Sequence, residues 1–403
     1  MIFSNISTSP SLTLRLRVFI FTLFSLFSLL THAAVTPKLT MQPALIPAPP
    51  QIAATSYILI DASSGKVIAE KNAHEKLPPA SLTKMMTAYS AEYEIARGNI
   101  SRSDKVLVSK KAWLTGGSKM FIKVGNRVPL KMLLQGIIVE SGNDASIAVA
   151  EHIAGSESAF VDIMNQHAKI LGMKDTHFMN ATGLPEKGHY SSAADLAILA
   201  RAIITQFPVQ YSIYSEKYFT WNNIRQPNRN RLLWWDKSVD GLKTGHTKEA
   251  GYCLVASAKR GGMRLISVVM GTKSDEARNR ESQKLINYGF RYYKTYTLYK
   301  AGDQLTESPV WGGKTSRLGL GLAHSVIVTI PRGQKGKLKA TLDVDKVIQA
   351  PIKAGQEYGR LKVTLNGKSL ADQPLIALHD INKAGFFTHI WDMIKLFFFN
   401  LFS

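Results

Sequence analysis

Ser81 and Lys84 stand three residues apart in Pro78-Pro79-Ala80-Ser81-Leu82-Thr83-Lys84-Met85-Met86. A serine hydroxyl is a poor nucleophile until a neighbour takes its proton, and that neighbour is most often histidine. Lysine can do this work here, because positions i and i+3 share one face of a helix. Such a pair would make the chain an acyl-transfer enzyme with a covalent intermediate on Ser81.

The spacing alone is weak evidence. A chain of this length should hold roughly one or two Ser-x-x-Lys by chance, and a second copy is present at Ser63-Ser64-Gly65-Lys66. That copy lies between the apolar runs Tyr57–Ile60 and Val67–Ala69. It is expected at a β-hairpin tip, where i and i+3 need not share a face. Context therefore has to choose between the two pairs.

The 403 residues can form two or three domains, and 45% hydrophobic residues suffice for ordinary cores. The net charge of +21 favours anionic surroundings. The charges are scattered and no nucleic-acid motif accompanies them, so no nucleic acid is expected. Cys253 is the only cysteine, which rules out an intrachain disulfide. Its apolar flank, Gly251-Tyr252-Cys253-Leu254-Val255-Ala256, predicts a buried structural thiol.

Residues 1–34 have the order of a secretory signal peptide. Arg15 and Arg17 precede an apolar run from Val18 to Leu30, then Thr31-His32-Ala33-Ala34, with cleavage expected after Ala33 or Ala34. The run is short for a spanning helix. Residues 35–52 carry five prolines between Pro37 and Pro50 and read as an extended linker.

Residues 53–296 predict a mixed α/β (α+β) domain with an antiparallel sheet. Strand patterns occur at both ends, including a hairpin of 250–258 with 264–270. Helical patterns lie between them at 81–97, 130–153, 158–171 and 190–206, and a last one follows at 277–290. Residues 297–380 alternate in short runs, such as Ser325–Ile330 and Leu361–Leu365, and predict a small all-β domain.

Residues 381–403 predict an amphipathic terminal helix. Phe387, Ile390, Trp391, Ile394, Phe398, Leu401 and Phe402 fall on one face, while Asp392 and Lys395 oppose spanning. An interfacial helix on a membrane surface is the expectation, and a helix docked on the protein's own core is the alternative.

Two further motifs give Ser81 its context. Ser141-Gly142-Asn143 reads alone as a turn before an Ala-rich helix. Lys243-Thr244-Gly245-His246-Thr247 reads alone as the end of a strand. In this order after Ser81-x-x-Lys84, the three resemble the signature of the penicillin-binding, serine β-lactamase superfamily. Ser-Gly-Asn with Lys-Thr-Gly-His-Thr is most similar to the low-molecular-mass penicillin-binding proteins that are serine-type D-alanyl-D-alanine carboxypeptidases. The resemblance extends from about Ser56 to the C-terminus. It takes in Tyr190-Ser191-Ser192-Ala193 and Gln226-Pro227-Asn228-Arg229-Asn230.

The resemblance implies a helical cluster on a five-stranded antiparallel sheet. It also implies roles. Ser81 would attack the penultimate D-alanine carbonyl, and a desolvated Lys84 would accept the proton. The N–H groups of Ser81 and His246 would hold the oxyanion. Ser141 would pass a proton to the leaving D-alanine, and Asn143 would orient Lys84 and the substrate amide. Lys243 and Thr244 would hold the terminal carboxylate, and Gly245 would let the substrate backbone approach. Arg229 and Asp195 would flank the site as a pair, with a purely structural ion pair as the other reading. No histidine besides His246 has a partner pattern for a metal or a triad, and no metal or cofactor is expected.

The expected activity is removal of the terminal D-alanine from peptidoglycan stem pentapeptides, with β-lactams as covalent inhibitors. The expected location is the periplasmic face of the bacterial inner membrane. The alternatives in the superfamily are a β-lactamase and a D,D-endopeptidase or transpeptidase. Against the lactamase, Gly183-Leu184-Pro185-Glu186-Lys187-Gly188-His189 lacks the Glu-x-x-Leu-Asn pattern of class A. A non-catalytic, basic envelope-binding protein is the alternative from another class.

Overall fold

The computed structural model describes residues 46–386 together with 391, 394 and 395. The expected signal peptide, most of the linker and most of the terminal helix lie outside the described residues. No helix among the described residues is long and apolar enough to cross a membrane.

Five strands form the main antiparallel sheet. They are β1 (Ser56–Asp61), β2 (Val67–Lys71), β3 (Val239–Thr247), β4 (Gly251–Arg260) and β5 (Met263–Thr272), in the order β2-β1-β5-β4-β3. Side chains alternate between its two faces. Ile58 and Ile60 of β1 enter one core cluster, and Tyr57 and Leu59 enter another. Cys253 and Val255 of β4 join the first, and Leu254 and Ala256 the second. Burial pushes the Cys253 thiol up to about 11, so it behaves as a core side chain.

Helices cover both faces. In chain order they are α1 (Lys84–Ala96), α2 (Asn143–Ala154), α3 (Glu157–Leu171), α4 (Ala193–Gln206) and α5 (Asp275–Tyr292). Met85 and Tyr89 of α1, Phe160 and Met164 of α3, and Leu196 and Leu199 of α4 pack on the first face. Leu285 and Ile286 of α5 pack on the second. Three of these helices begin at a serine cap: Ser156 accepts from Ala159 N, Ser192 from Asp195 N and Ser274 from Ala277 N. Each cap contributes about 1 kcal/mol. The Ser192 cap explains why α4 starts at Ala193. Tyr190, expected inside that helix, instead bridges to His177.

The helix expected over 130–153 is interrupted. Leu130–Gln135 is α-helical, Gly136–Glu140 widens into a π turn, and Ser141 turns left-handed at φ +65° before α2 begins. Gly142 N then closes onto Gly136 O at 3.0 Å. A Cβ on Gly136 would lie 2.4 Å from Met120 Sδ, so only glycine fits the turn as packed.

The second Ser-x-x-Lys copy sits in the β1–β2 connection, as expected. Asp61 Oδ1 accepts from Ser63 N at 3.1 Å and Ser64 N at 2.7 Å, which folds the segment into a side-chain-capped turn. Ser63 and Lys66 therefore share no helix face.

Residues 293–377 are β-rich, with one 3₁₀ turn at Lys335–Lys337. Their strands are β6 (Tyr293–Tyr299), β7 (Gln304–Pro309), β8 (Arg317–Gly321), β9 (Val326–Pro331), β10 (Leu338–Val344), β11 (Glu357–Leu365) and β12 (Lys368–Ala377). A five-stranded sheet runs β7-β8-β12-β11-β10, and β6 pairs with β9. The boundary expected between 296 and 297 falls inside β6.

Candidate active site

Ser81 lies in a 3₁₀ turn, Ala80–Thr83, that leads directly into α1. Two prolines bring the chain into that turn, and Ala80 takes a left-handed φ of +48°. Lys84 is the first residue of α1 and only 1% exposed. Its Nζ donates to Ser81 Oγ at 3.1 Å, to Asn143 Oδ1 at 2.6 Å and to Thr182 O at 2.5 Å. Burial lowers the Lys84 pKa to about 7, helped by the Arg229 charge and opposed by Asp144.

Ser141 is brought in by the π turn that interrupts the expected helix. It is 2% exposed, and its Oγ accepts from Lys243 Nζ at 2.9 Å. Lys243 lies on β3, the edge strand of the sheet, and also donates to Thr244 O at 2.9 Å. Burial holds its pKa well below the usual lysine range, and the charges of Lys84, Arg229 and Arg278 push the same way. Two lysines are thus each bonded to a serine on adjoining walls.

Gly245 has a use that sequence reasoning assigned only to the substrate. A Cβ there would lie 2.9 Å from Pro79 O and 3.2 Å from Leu82 N. The absent side chain lets the Ser81 turn dock on the edge strand. His246 is exposed and stacks on Tyr252 with ring centroids 3.9 Å apart.

These residues open onto a cleft of about 480 Å³ lined by Ser81, Ser141, Thr244, His246 and three arginines, Arg229, Arg231 and Arg278. Arg278 reaches it from α5 and donates to Gly245 O at 3.2 Å. Asp275 lines the same cleft and pairs with Arg231 and Arg278, so the positive charge that suits a carboxylate there rests on Arg229. Among the described residues no cluster of His, Cys, Asp and Glu could hold a metal ion.

The expected Arg229–Asp195 pair does not form. Arg229 lines the cleft, but Asp195 accepts from Asp175 N at 2.7 Å and from Thr176 Oγ1 at 2.7 Å. Its place in the first turn of α4 commits it to that loop, and no ion pair joins the two among the described residues.

Four contributors escaped the sequence reading. The Thr182 carbonyl holds Lys84, and a backbone acceptor leaves no signal in residue type. Asp144 is fully buried and accepts from the N–H groups of Met120, Phe121 and Ile122, which pins the loop beside Asn143. Its position after Ser-Gly-Asn was the only available hint. Arg278 could not be told from a surface helix arginine. Glu140 is 1% exposed and neither of its oxygens has a hydrogen-bond partner. Burial and the Asp144 charge raise its pKa to about 8, so it is mostly a neutral acid at pH 7.

A mixed sheet-and-helix domain with a buried Ser–Lys pair, a second Ser–Lys pair and a cationic cleft defines a serine acyl-transfer enzyme. Known proteins agree with that class. Residues 44–274 match the D-alanyl-D-alanine carboxypeptidase family, peptidase S11, and residues 293–383 match the C-terminal domain of penicillin-binding protein 5. The D-alanyl-D-alanine carboxypeptidase DacA of Escherichia coli (strain K12) is 47% identical over 368 residues, which cover 89% of this chain and 91% of that protein. The structure of penicillin-binding protein 5 from Haemophilus influenzae superimposes with a TM-score of 0.80 at 42% identity, over 84% of this chain and 100% of that one. Penicillin-binding protein 6B from Escherichia coli gives a TM-score of 0.69 at 38% identity, over 83% and 98%. The chain belongs to the D-alanyl-D-alanine carboxypeptidase family, peptidase S11.

Proposed function

We propose that this chain is a serine D-Ala-D-Ala carboxypeptidase that trims peptidoglycan stem pentapeptides through an acyl-enzyme on Ser81. The observation that carries the reading is Lys84 Nζ, buried and 3.1 Å from Ser81 Oγ. With a pKa near 7, about half of the Lys84 side chains are neutral amines at pH 7.

Ser81 Oγ attacks the penultimate D-alanine carbonyl carbon while Lys84 Nζ takes its proton. The N–H groups of Ser81 and His246 hold the oxyanion. The C–N bond then breaks, and the departing amine takes a proton from Ser141 Oγ, which Lys243 Nζ can resupply. Arg229 and Thr244 hold the terminal carboxylate. Water hydrolyses the ester: its hydroxyl stays on the acyl carbon, Lys84 Nζ returns its proton to Ser81 Oγ, and the water's remaining proton restores Lys243 Nζ. Penicillins would acylate the same oxygen, since their strained amide and carboxylate resemble the D-alanyl-D-alanine end.

The chain would work at the periplasmic face of the inner membrane, exported by residues 1–34. The 297–380 domain would stand between the catalytic domain (53–296) and a membrane-surface helix at 381–403. Support for that helix is apolar exposure: Trp391 is 60% and Ile394 44% exposed. Deletion from Gly385 should move the protein into the soluble fraction. Unchanged membrane retention would assign anchoring to the N-terminal segment.

The test of activity is release of D-alanine from a pentapeptide, beside the mass of the protein after benzylpenicillin. One adduct, mapped to Ser81, and D-alanine release lost in Ser81→Ala are expected. Faster turnover of the penicillin than of the peptide would instead favour a β-lactamase.

A further inference from the structure

Gly245 and His246 share one peptide unit whose two polar atoms face different partners. The N–H belongs to His246 and is one of the two donors assigned to the oxyanion. The oxygen belongs to Gly245 and accepts from Arg278 Nη1 at 3.2 Å. A peptide unit is planar, so fixing the oxygen fixes the direction of the N–H. A restraint matters at this position, because a glycine backbone rotates more freely than any other and has no side chain to hold the plane.

Arg278 is itself held. It is buried, and its Nη2 donates to Asp275 Oδ1. Its Nε is buried without a hydrogen-bond partner, so among the described residues its acceptors are Gly245 O and Asp275 Oδ1. The guanidinium also lies over the Tyr252 ring, 5.6 Å from its centroid, and Tyr252 stacks on His246 at 3.9 Å. Arg278 thus reaches His246 by two routes, the backbone and the ring.

Asp275 anchors these contacts. It is the first residue of α5, and its Oδ2 pairs with Arg231 Nε at 2.9 Å. One carboxylate oxygen therefore takes Arg278 and the other takes Arg231. Burial lowers the Arg278 pKa, and the Asp275 charge pushes it back up. A buried guanidinium stripped of its counterion would be costly and would seek water instead. Asp275, Arg278, Gly245, His246 and Ser81 all line the one cleft.

We propose that Asp275 is a positioning residue for acyl transfer: it holds Arg278 on Gly245 O and so aims the His246 N–H at the oxyanion. The proposal rests on the carboxypeptidase reading above. Asp275 touches no reacting atom and acts through Arg278. Both halves of the reaction feel it, since acylation and deacylation each pass through an oxyanion at the same place.

The experiment uses Asp275→Asn in the full-length protein, which keeps the size of the side chain and removes its charge. Acylation by benzylpenicillin, followed by stopped flow, and loss of the adduct, followed by mass, should each slow by about tenfold. Infrared difference spectra of the penicilloyl-enzyme should show the ester carbonyl at higher frequency, because a poorly aimed N–H polarises it less. On a D-Ala-D-Ala peptide the loss should fall on kcat, with KM within about twofold of native. Asp275→Glu, which keeps the charge, should recover part of the rate and part of the frequency shift. A carbonyl band in its native place, rates within about twofold of native, or a loss confined to KM would each overturn the proposal. If Asp275→Asn does not fold, the band and both rates are read in Asp275→Glu. Its longer arm should move them the same way by less, and native values there would overturn the proposal equally. No adduct on the native protein would overturn the carboxypeptidase reading itself.

Discussion

Lys243 Nζ donates to Ser141 Oγ at 2.9 Å, across a sequence separation of 102 residues. The contact joins the edge strand to the π turn and places a second Ser–Lys pair beside the first. Ser141→Ala would take a hydrogen-bond partner from the buried Lys243 Nζ and remove the hydroxyl nearest the expected leaving group. Acylation by benzylpenicillin should slow by about 10²-fold. Stopped-flow measurement of adduct formation gives the rate, and a value within threefold of native would exclude Ser141 from the proton path.

The depressed Lys84 pKa gives the pH dependence its sign. The amine must be neutral to accept a proton, so kcat/KM should rise with pH through about 7 and level off above it. Arg229 lowers that pKa by repulsion, so Arg229→Gln should move the rise to higher pH as well as weaken binding of the terminal carboxylate. A profile of kcat/KM from pH 5 to 9 in both proteins decides this. An acid limb that stays in place in Arg229→Gln would mean that burial alone sets the lysine.

Much of this site was legible because its chemistry sits in short motifs. Ser81 and Lys84 share a helix start, and local spacing alone can show that. Ser141 and Lys243 were legible as motifs, but their mutual contact was not, since it depends on how an edge strand meets an interrupted helix. The interruption itself was missed: Leu130–Ile153 keeps an apolar pattern straight through the π turn, because both sides of the turn pack into one core. Asp195 failed for the opposite reason. Its motif neighbours pointed to the site, but as an N-terminal residue of α4 it found nearer donors in Asp175 and Thr176.

Gly245 tests whether the Ser81 turn is held by the strand. In Gly245→Ala the new methyl meets Pro79 O at 2.9 Å and Leu82 N at 3.2 Å, backbone atoms that cannot rotate away. The turn must shift, which should cost about 1–3 kcal/mol of stability. A displaced nucleophile should also lower the acylation rate by about 10²-fold. Chemical denaturation and penicillin acylation measure the two separately. Native values in both would mean that the turn has slack that its packing does not suggest.

Glu140 gives a stability prediction with a definite sign. Its carboxyl is buried, and Gln226, which lies alongside, donates its amide to Lys119 O at 3.0 Å instead. Burial and the neighbouring Asp144 raise its pKa from 4.5 to about 8, while Arg229 and Gln226 pull it down. Between those values the folded protein holds a proton that the unfolded chain has lost. Stability therefore falls as pH rises through this window and is fully retained only below about 4.5. Glu140→Gln removes the titration and keeps the shape. It should be more stable than native at pH 8, by about 2 kcal/mol or more, with the difference shrinking toward pH 5. Thermal unfolding of the two proteins across that range reads it directly. A native protein whose midpoint is flat from pH 5 to 8, or a variant that is less stable throughout, would show that Glu140 is ionised and paired in solution.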